Sequence, residues 1–349
     1  MTISPHPFGL HRSLDPPGTL PQLARRLDNA PRPFDNEIAV DVEALAIDSA
    51  SFRQLRETET TTGETVAHQI QRIVGERGKM QNPLTGSGGI FLGRVREIGS
   101  RHPAVRELSP GERIASMVSL TVTPLKLDRI LGVQTAAERV DVRGTAILFE
   151  RTLFARLPAD LPEKISLAAL DVAGAPASVL LRARPGQTVL VIGTGKAGLL
   201  CLAAAREAVG PNGKVLALDP SEKAADRARS LGCADRVWTL DARDALAIHS
   251  AVQQETAGRL ADLVVNVVNA PGTETASALA ARDEGSVLFF GMATSFSAAA
   301  LGAEGLVHPA TLLIGNGYVP GHNETALGLL RRHPKLRAAF ASLADATAS

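Results

Sequence analysis

The chemistry-bearing spacing in this chain begins at Gly193-Thr194-Gly195-Lys196-Ala197-Gly198, a G-x-G-x-x-G run. A β-branched run, Thr188–Ile192, precedes it, an Ala/Leu-rich helical run follows, and a second apolar run, Val215–Leu218, ends in Asp219. Strand, glycines, helix, strand and acid in this order make the βαβ fingerprint for a dinucleotide. Gly193 permits the tight turn, Gly195 lets backbone approach a pyrophosphate, and Gly198 lets helix pack on sheet. The helix N-terminus offers unpaired N–H groups to the anion. Asp219, about 25 residues beyond Gly193, is expected to accept from both ribose hydroxyls. A 2′-phosphate there would meet a carboxylate, so the reading favours NAD over NADP. Asn266 and Asn269, polar at the end of another apolar run, are expected to touch ribose or nicotinamide.

The elements that position these groups divide the chain in two. The 349 residues are enough for two domains with a substantial core. Residues 1–36 read as an irregular arm rich in Pro, Arg and Asp. Residues 37–158 read as a mostly β domain of short strands: Ile38, Val40 and Val42 alternate with Asp41 and Glu43, and Ile90–Ile98 is a further strand. Between them a polar, Thr-rich insertion, Glu57–Glu64, precedes a helical run, Val66–Val74. Residues 159–349 alternate strand and helix, the pattern of a doubly wound parallel sheet. The fold class is therefore α/β, with a β domain ahead of a Rossmann domain.

Composition narrows the partners. A net charge of +1 without a basic run argues against nucleic acid or anionic membrane. No apolar stretch reaches the ~18 residues of a membrane span, the first residues lack a signal-peptide core, and a cytoplasmic location is expected. Cys201 and Cys233 form no C-x-x-C pair, so a four-thiolate zinc and a disulfide framework are both unexpected.

A β domain followed by a nucleotide fold resembles the medium-chain dehydrogenase/reductase superfamily. Val40–Ile47, Gly93–Gly99, Pro110–Ile114 and Arg184-Pro185-Gly186 match its habits. The resemblance implies a GroES-like first domain, with the last thirty or so residues free to return to it. It implies an active site in the cleft between the domains, passage of Gly291 and Met292 past the nicotinamide, and a homodimer or homotetramer. The departures concern metal. The position of the superfamily's ligand Cys holds Asp48, and its Gly-His-Glu motif becomes Gly88-Gly89-Ile90. Catalytic zinc needs three protein ligands, so hydride transfer without a metal is expected.

Longer runs are similar to one family, the L-erythro-3,5-diaminohexanoate dehydrogenases of lysine fermentation. They include Pro7–Arg12, Asp35–Ile38, Ile47–Phe52, Arg77–Met80, Asn82–Gly89, Ser119–Leu125 and Leu170–Ala177. The resemblance implies NAD-dependent oxidative deamination of a diamino acid to an amino-keto acid and ammonium. That reaction needs a neutral amine, and hence a base beside the reacting nitrogen. It needs a second acid for the distal ammonium and a basic or hydroxyl-rich pocket for the carboxylate.

Asp48 and Asp171 are the expected acids, placed by the superfamily resemblance at the nicotinamide pocket. A turn or helix cap is the plainer use of each. Lys79 and Asn82, with Thr85 and Ser87, are candidates for the substrate carboxylate, and Ser49 and Ser51 are further candidate contacts. Lys79 would alternatively be the base if burial lowered its pKa. His6 and His11 are expected to be structural or at the surface. Two other readings stay open: a zinc-free enoyl or quinone reductase, which would favour NADPH, and a non-catalytic NAD-binding protein.

Overall fold

The computed structural model describes residues 5–346 apart from residues 292 and 316. It resolves into two compact units, one extending to Asp160 and the other spanning Leu161–Ala346.

The first unit opens with a short antiparallel pair, β1 (Ser13–Asp15) and β2 (Arg26–Leu27). It continues through β3 (Ile38–Ala46), α1 (Ser49–Thr62), α2 (Val66–Arg77), β4 (Ile90–Ile98), β5 (Arg113–Ser116), β6 (Leu125–Gln134), β7 (Arg139–Leu148) and β8 (Phe154–Arg156). The last six strands form one antiparallel sheet in the order β6-β7-β3-β4-β5-β8. Alternation explains β3: Ile38, Val40 and Val42 are buried in the core with Ile70, Ile73, Phe91 and Val140. Asp41 and Glu43 point outward to Arg96 and to Arg94 and Arg113.

The irregular arm is ordered around one buried arginine. Arg12 is fully buried, with its guanidinium donating to both Glu37 carboxylate oxygens and to the carbonyls of Asp28, Ala30 and Arg32. His11 reaches the same carboxylate at 2.8 Å, and the Phe34 N–H donates to it at 2.8 Å. A buried charge pair of this kind persists only when its remaining donors and acceptors are also satisfied, and here His11 and the stretch from Asp28 to Phe34 supply them.

The Thr-rich segment is corrected from an insertion to the C-terminal half of helix α1. Asp48 caps its start and Gly63, at φ 77°, ends it. Thr60, Thr61 and Thr62 each donate their hydroxyl to the carbonyl four residues back, so polar side chains are satisfied on the helix itself. Strand β6 is largely exposed, which hides it from a hydrophobic-periodicity reading. Strand β7 continues through Gly144, where a Cβ would lie 2.3 Å from the Lys126 carbonyl oxygen.

The second unit runs α3 (Glu163–Leu170), α4 (Gly174–Arg182), β9 (Thr188–Ile192), α5 (Lys196–Val209), β10 (Lys214–Asp219), α6 (Glu222–Leu231) and β11 (Arg236–Thr239). Then come α7 (Ala245–Glu255), β12 (Ala261–Asn266), α8 (Glu274–Leu279), β13 (Ala281–Phe289), α9 (Phe296–Gly305), β14 (Thr311–Ile314), α10 (His322–Arg332) and α11 (Pro334–Ala346). The parallel sheet is ordered β11-β10-β9-β12-β13-β14, the dinucleotide-binding arrangement, with its switch point between β9 and β12. Helices α10 and α11 belong to this unit, so the C-terminal residues through Ala346 do not return to the first one. Glu207 of α5 receives both Arg332 and His333. Among the described residues no single helix is long and apolar enough to cross a membrane, and α3 and α4, which would reach that length together, meet at 55°.

Candidate active site and cofactor cradle

In the first unit the chemistry collects where β3 gives way to α1. Asp48 is the N-cap of α1: its Oδ1 accepts from the Ser51 N–H at 2.9 Å. Its Oδ2 is buried and has no hydrogen-bond partner. A buried, unsatisfied carboxylate oxygen is costly, and a cationic donor on a ligand is the natural group to satisfy it.

The loop 82–89 packs under this point because its glycines allow it. A Cβ on Gly89, at φ 92°, would lie 2.0 Å from the Ala46 carbonyl oxygen and 2.8 Å from Ile47 Cα. One on Gly88 would lie 2.2 Å from the Met80 carbonyl oxygen. The close approach brings three hydroxyls together: Ser51 Oγ lies 2.6 Å from Thr85 Oγ1 and 2.9 Å from Ser87 Oγ. Thr85 and Ser87 are themselves 3.2 Å apart. A histidine or glutamate at Gly88 or Gly89 would not fit this path.

Two residues expected to bind substrate are placed otherwise. Asn82 is buried and shapes the loop: its Oδ1 accepts from the Leu84 and Thr85 N–H groups, and its Nδ2 donates to Gln54 Oε1 at 2.6 Å. It therefore presents Thr85 rather than offering its own amide to a carboxylate. Lys79 is 0% exposed and its Nζ donates to the Pro21 carbonyl at 2.7 Å. Burial, with the nearby charge of Arg77, lowers its pKa to about 8. It anchors the arm, and neither a solvated loop lysine nor a direct contact for substrate describes it. Ser49 begins α1; its side chain lies outside what the structure describes.

Gln54 was not singled out from sequence. The signal was present, because Ser51 and Gln54 are three apart and share a face once α1 is recognised as a helix.

In the second unit, the glycine turn has the geometry its spacing predicts. Gly193 has φ 92°. A Cβ on Gly198 would lie 2.0 Å from the Gly193 carbonyl oxygen. Gly195 opens onto free space within 4 Å and is the N-cap of α5, with Lys196 and Ala197 in its first turn. The turn and helix end thus leave room for a pyrophosphate beside N–H groups that have no intrahelical acceptor.

Asp219 ends β10 beside this turn. Its Oδ2 accepts from the Thr194 N–H at 2.8 Å and from Thr194 Oγ1 at 3.0 Å, and its Oδ1 from the Ser221 N–H at 3.0 Å. A carboxylate offers about four acceptor positions, so three are taken and one remains on Oδ1. The expected grip on both ribose hydroxyls is left with that one open position. Asn266 is corrected. It is fully buried, donating to Thr273 Oγ1 and Ser277 Oγ and accepting from the Val268 N–H, so it builds the loop after β12.

Asn269 is exposed on that loop. Gly291 packs against it, since a Cβ there would lie 2.0 Å from the Val268 carbonyl oxygen. Met292 lies outside the described residues. Asp171 is exposed at the C-terminal end of α3; Ala173, not Asp171, stands at the N-cap of α4. Among the described residues no three His, Cys, Asp or Glu side chains form a metal-ligand set.

Comparison with known proteins identifies the family. Residues 11–158 match the model for the L-erythro-3,5-diaminohexanoate dehydrogenase N-terminal domain. Residues 197–319 match one described as zinc-binding dehydrogenase. The chain is 43% identical to the L-erythro-3,5-diaminohexanoate dehydrogenase of Acetoanaerobium sticklandii, over 95% of this chain and 97% of the relative. It is 42% identical to that of Fusobacterium nucleatum over the same shares. A mycobacterial protein solved in complex with NADPH shares the fold, with TM-score 0.55 and 21% identity over 93% of this chain and 86% of that one. The architecture is that of the medium-chain dehydrogenase/reductases, and the chain is an oxidoreductase that belongs to the L-erythro-3,5-diaminohexanoate dehydrogenase family.

Proposed function

We propose that the enzyme oxidatively deaminates L-erythro-3,5-diaminohexanoate to 5-amino-3-oxohexanoate and ammonium, with NAD as hydride acceptor and without a protein-bound metal. The observation that carries the reading is the buried, unpartnered Oδ2 of Asp48 next to the hydroxyls of Ser51, Thr85 and Ser87, in a chain of which 95% matches enzymes of that name.

Asp48 is the base. Its Oδ1 is committed to the cap of α1, so Oδ2 takes the proton from the substrate ammonium. The freed nitrogen lone pair drives hydride off the adjacent carbon, and water then replaces nitrogen on the resulting iminium. When bound, NAD supplies the hydride acceptor. Ser51, Thr85 and Ser87 offer donors to the substrate carboxylate, and Asp171 is the acid for the distal ammonium. Gly193, Gly195 and Gly198, with the first turn of α5, hold the pyrophosphate, and Asp219 accepts from the ribose. Asn269 and Gly291 line the nicotinamide side.

We also propose a homo-oligomer formed through β14. This strand has one sheet neighbour, and an edge left unpaired is a ready site for pairing with another chain. Ile314 at its end is exposed, as are Phe296, Leu301 and Val307 in the chain that leads to it.

The test is NADH formation by purified protein with L-erythro-3,5-diaminohexanoate and NAD, after exhaustive chelation and beside NADP. Chelator-resistant turnover with NAD supports the reading. Turnover lost on chelation and restored by zinc would overturn the metal-free mechanism, and no turnover with this diamino acid would overturn the substrate.

A further inference from the structure

The contact between Thr194 and Asp219 points to a determinant of cofactor choice inside the glycine turn itself. We infer that the Thr194 hydroxyl is a positioning residue for Asp219, fixing the carboxylate so that its single remaining acceptor site, on Oδ1, meets one ribose hydroxyl. The inference rests on the reading of Asp219 as the ribose acid.

Thr194 is fully buried. It gives two donors to one oxygen: its N–H at 2.8 Å and its Oγ1 at 3.0 Å from Asp219 Oδ2. The opposite oxygen has one protein donor, the Ser221 N–H. The carboxylate plane is thereby set by the turn that would hold the pyrophosphate on one side and by the start of α6 on the other. The Gly193 N–H donates to the Leu218 carbonyl at 2.9 Å, so turn and acid are tied by backbone as well. An acceptor oriented before binding loses less freedom when the ribose arrives. The 2′-phosphate of NADP gains nothing from this orientation, because it meets the negative charge whichever way the plane lies.

Removing only the hydroxyl therefore separates the two cofactors. Thr194→Val keeps shape and the N–H donor but leaves each Asp219 oxygen with one donor. Trp238 is the only tryptophan of the chain. It pairs with Leu218, immediately before Asp219, so its emission reports reduced-nicotinamide binding without turnover.

Titrations of the full-length protein with NADH and NADPH, following Trp238, should show Thr194→Val weakening NADH by about threefold to tenfold with NADPH unchanged. Thr194→Ser should restore the parent ratio, and Thr194→Ala serves if the valine variant does not fold. Asp219→Ala tests the underlying reading: unchanged NADH affinity there would remove the ribose role and this inference with it. If Asp219→Ala weakens NADH while Thr194→Val leaves the NADH/NADPH ratio as in the parent, the inference fails and the ribose reading stands. Tighter NADH binding by Thr194→Val would also overturn it, since the hydroxyl would then compete with the ribose.

Discussion

Ser51 Oγ and Thr85 Oγ1 stand 2.6 Å apart, joining the first turn of a helix to a loop 34 residues further along the chain. The bond exists because Gly88 and Gly89 let that loop pass against backbone where any side chain would collide. It brings two hydroxyls together next to the helix start that Asp48 caps with one oxygen, its other oxygen left without a partner.

Asp48→Asn keeps the Oδ1 cap of α1 and removes the base. The expected result is a fall in kcat of about 10²-fold or more, with NADH binding unaltered because the glycine turn lies in the other unit. Steady-state kinetics with a parallel NADH titration decides it, and unchanged turnover would remove Asp48 from the mechanism.

Asn82→Ala leaves Gln54 Oε1 without its 2.6 Å donor and frees the Leu84 and Thr85 N–H groups. A stability loss of about 1–3 kcal/mol is expected, with a raised KM because Thr85 is no longer presented. Chemical denaturation and KM measurement read the two effects separately. A stable variant with the parent KM would show that the loop keeps its shape without the amide.

Lys79 gives a pH signature. Burial brings its pKa from 10.5 to about 8, so between those values the unfolded chain holds a proton that the folded chain has lost. Stability attributable to this group therefore rises with pH across that window and is flat below it. Lys79→Met should flatten the rise. Urea midpoints of parent and variant at each end of the window provide the check, and parallel slopes would refute the assignment.

Glu37 gives the opposite dependence. Burial raises its pKa, but hydrogen bonds from His11 and Arg12 and the Arg12 charge outweigh it, and the net direction is down. Its contribution is present above the unfolded carboxyl value and is lost as pH falls through the folded one. Glu37→Gln should destabilise the arm most at neutral pH and bring the variant towards the parent in acid, as thermal melts across the acid range would register. An offset from the parent that does not shrink in acid would mean that the charge of Glu37 contributes nothing.

Gly198→Ala places a Cβ against the Gly193 carbonyl oxygen, 2.0 Å away before any relaxation. The turn must move, and NADH binding should be lost or weakened by well over tenfold while the first unit keeps its own melting behaviour. Differential scanning calorimetry and Trp238 titration test this. Retained affinity would mean that helix α5 shifts without cost to the cradle.

The sequence by itself determined what is local and periodic. The β-branched run and the three glycines define strand, turn and helix because only residues without a Cβ fit φ 92° at Gly193 or the helix–turn contact at Gly198. The alternation of Ile38, Val40 and Val42 with Asp41 and Glu43 likewise settles which face of β3 is buried, since side chains alternate along any strand. Tertiary structure alone decided how polar groups share partners. Asn82 and Asn266 look like ligand contacts in a linear reading, yet each amide is taken up inside its own unit: Asn82 by Leu84, Thr85 and Gln54 of α1, Asn266 by Val268, Thr273 and Ser277 of α8. Lys79 looks like a loop cation, but an arm from 58 residues earlier supplies its acceptor. Hydrogen-bond satisfaction depends on which distant segments meet, and no spacing rule carries that information. For the same reason the family resemblance names Asp48 as an acid, but only three dimensions show that one of its oxygens finds Ser51 and the other finds nothing.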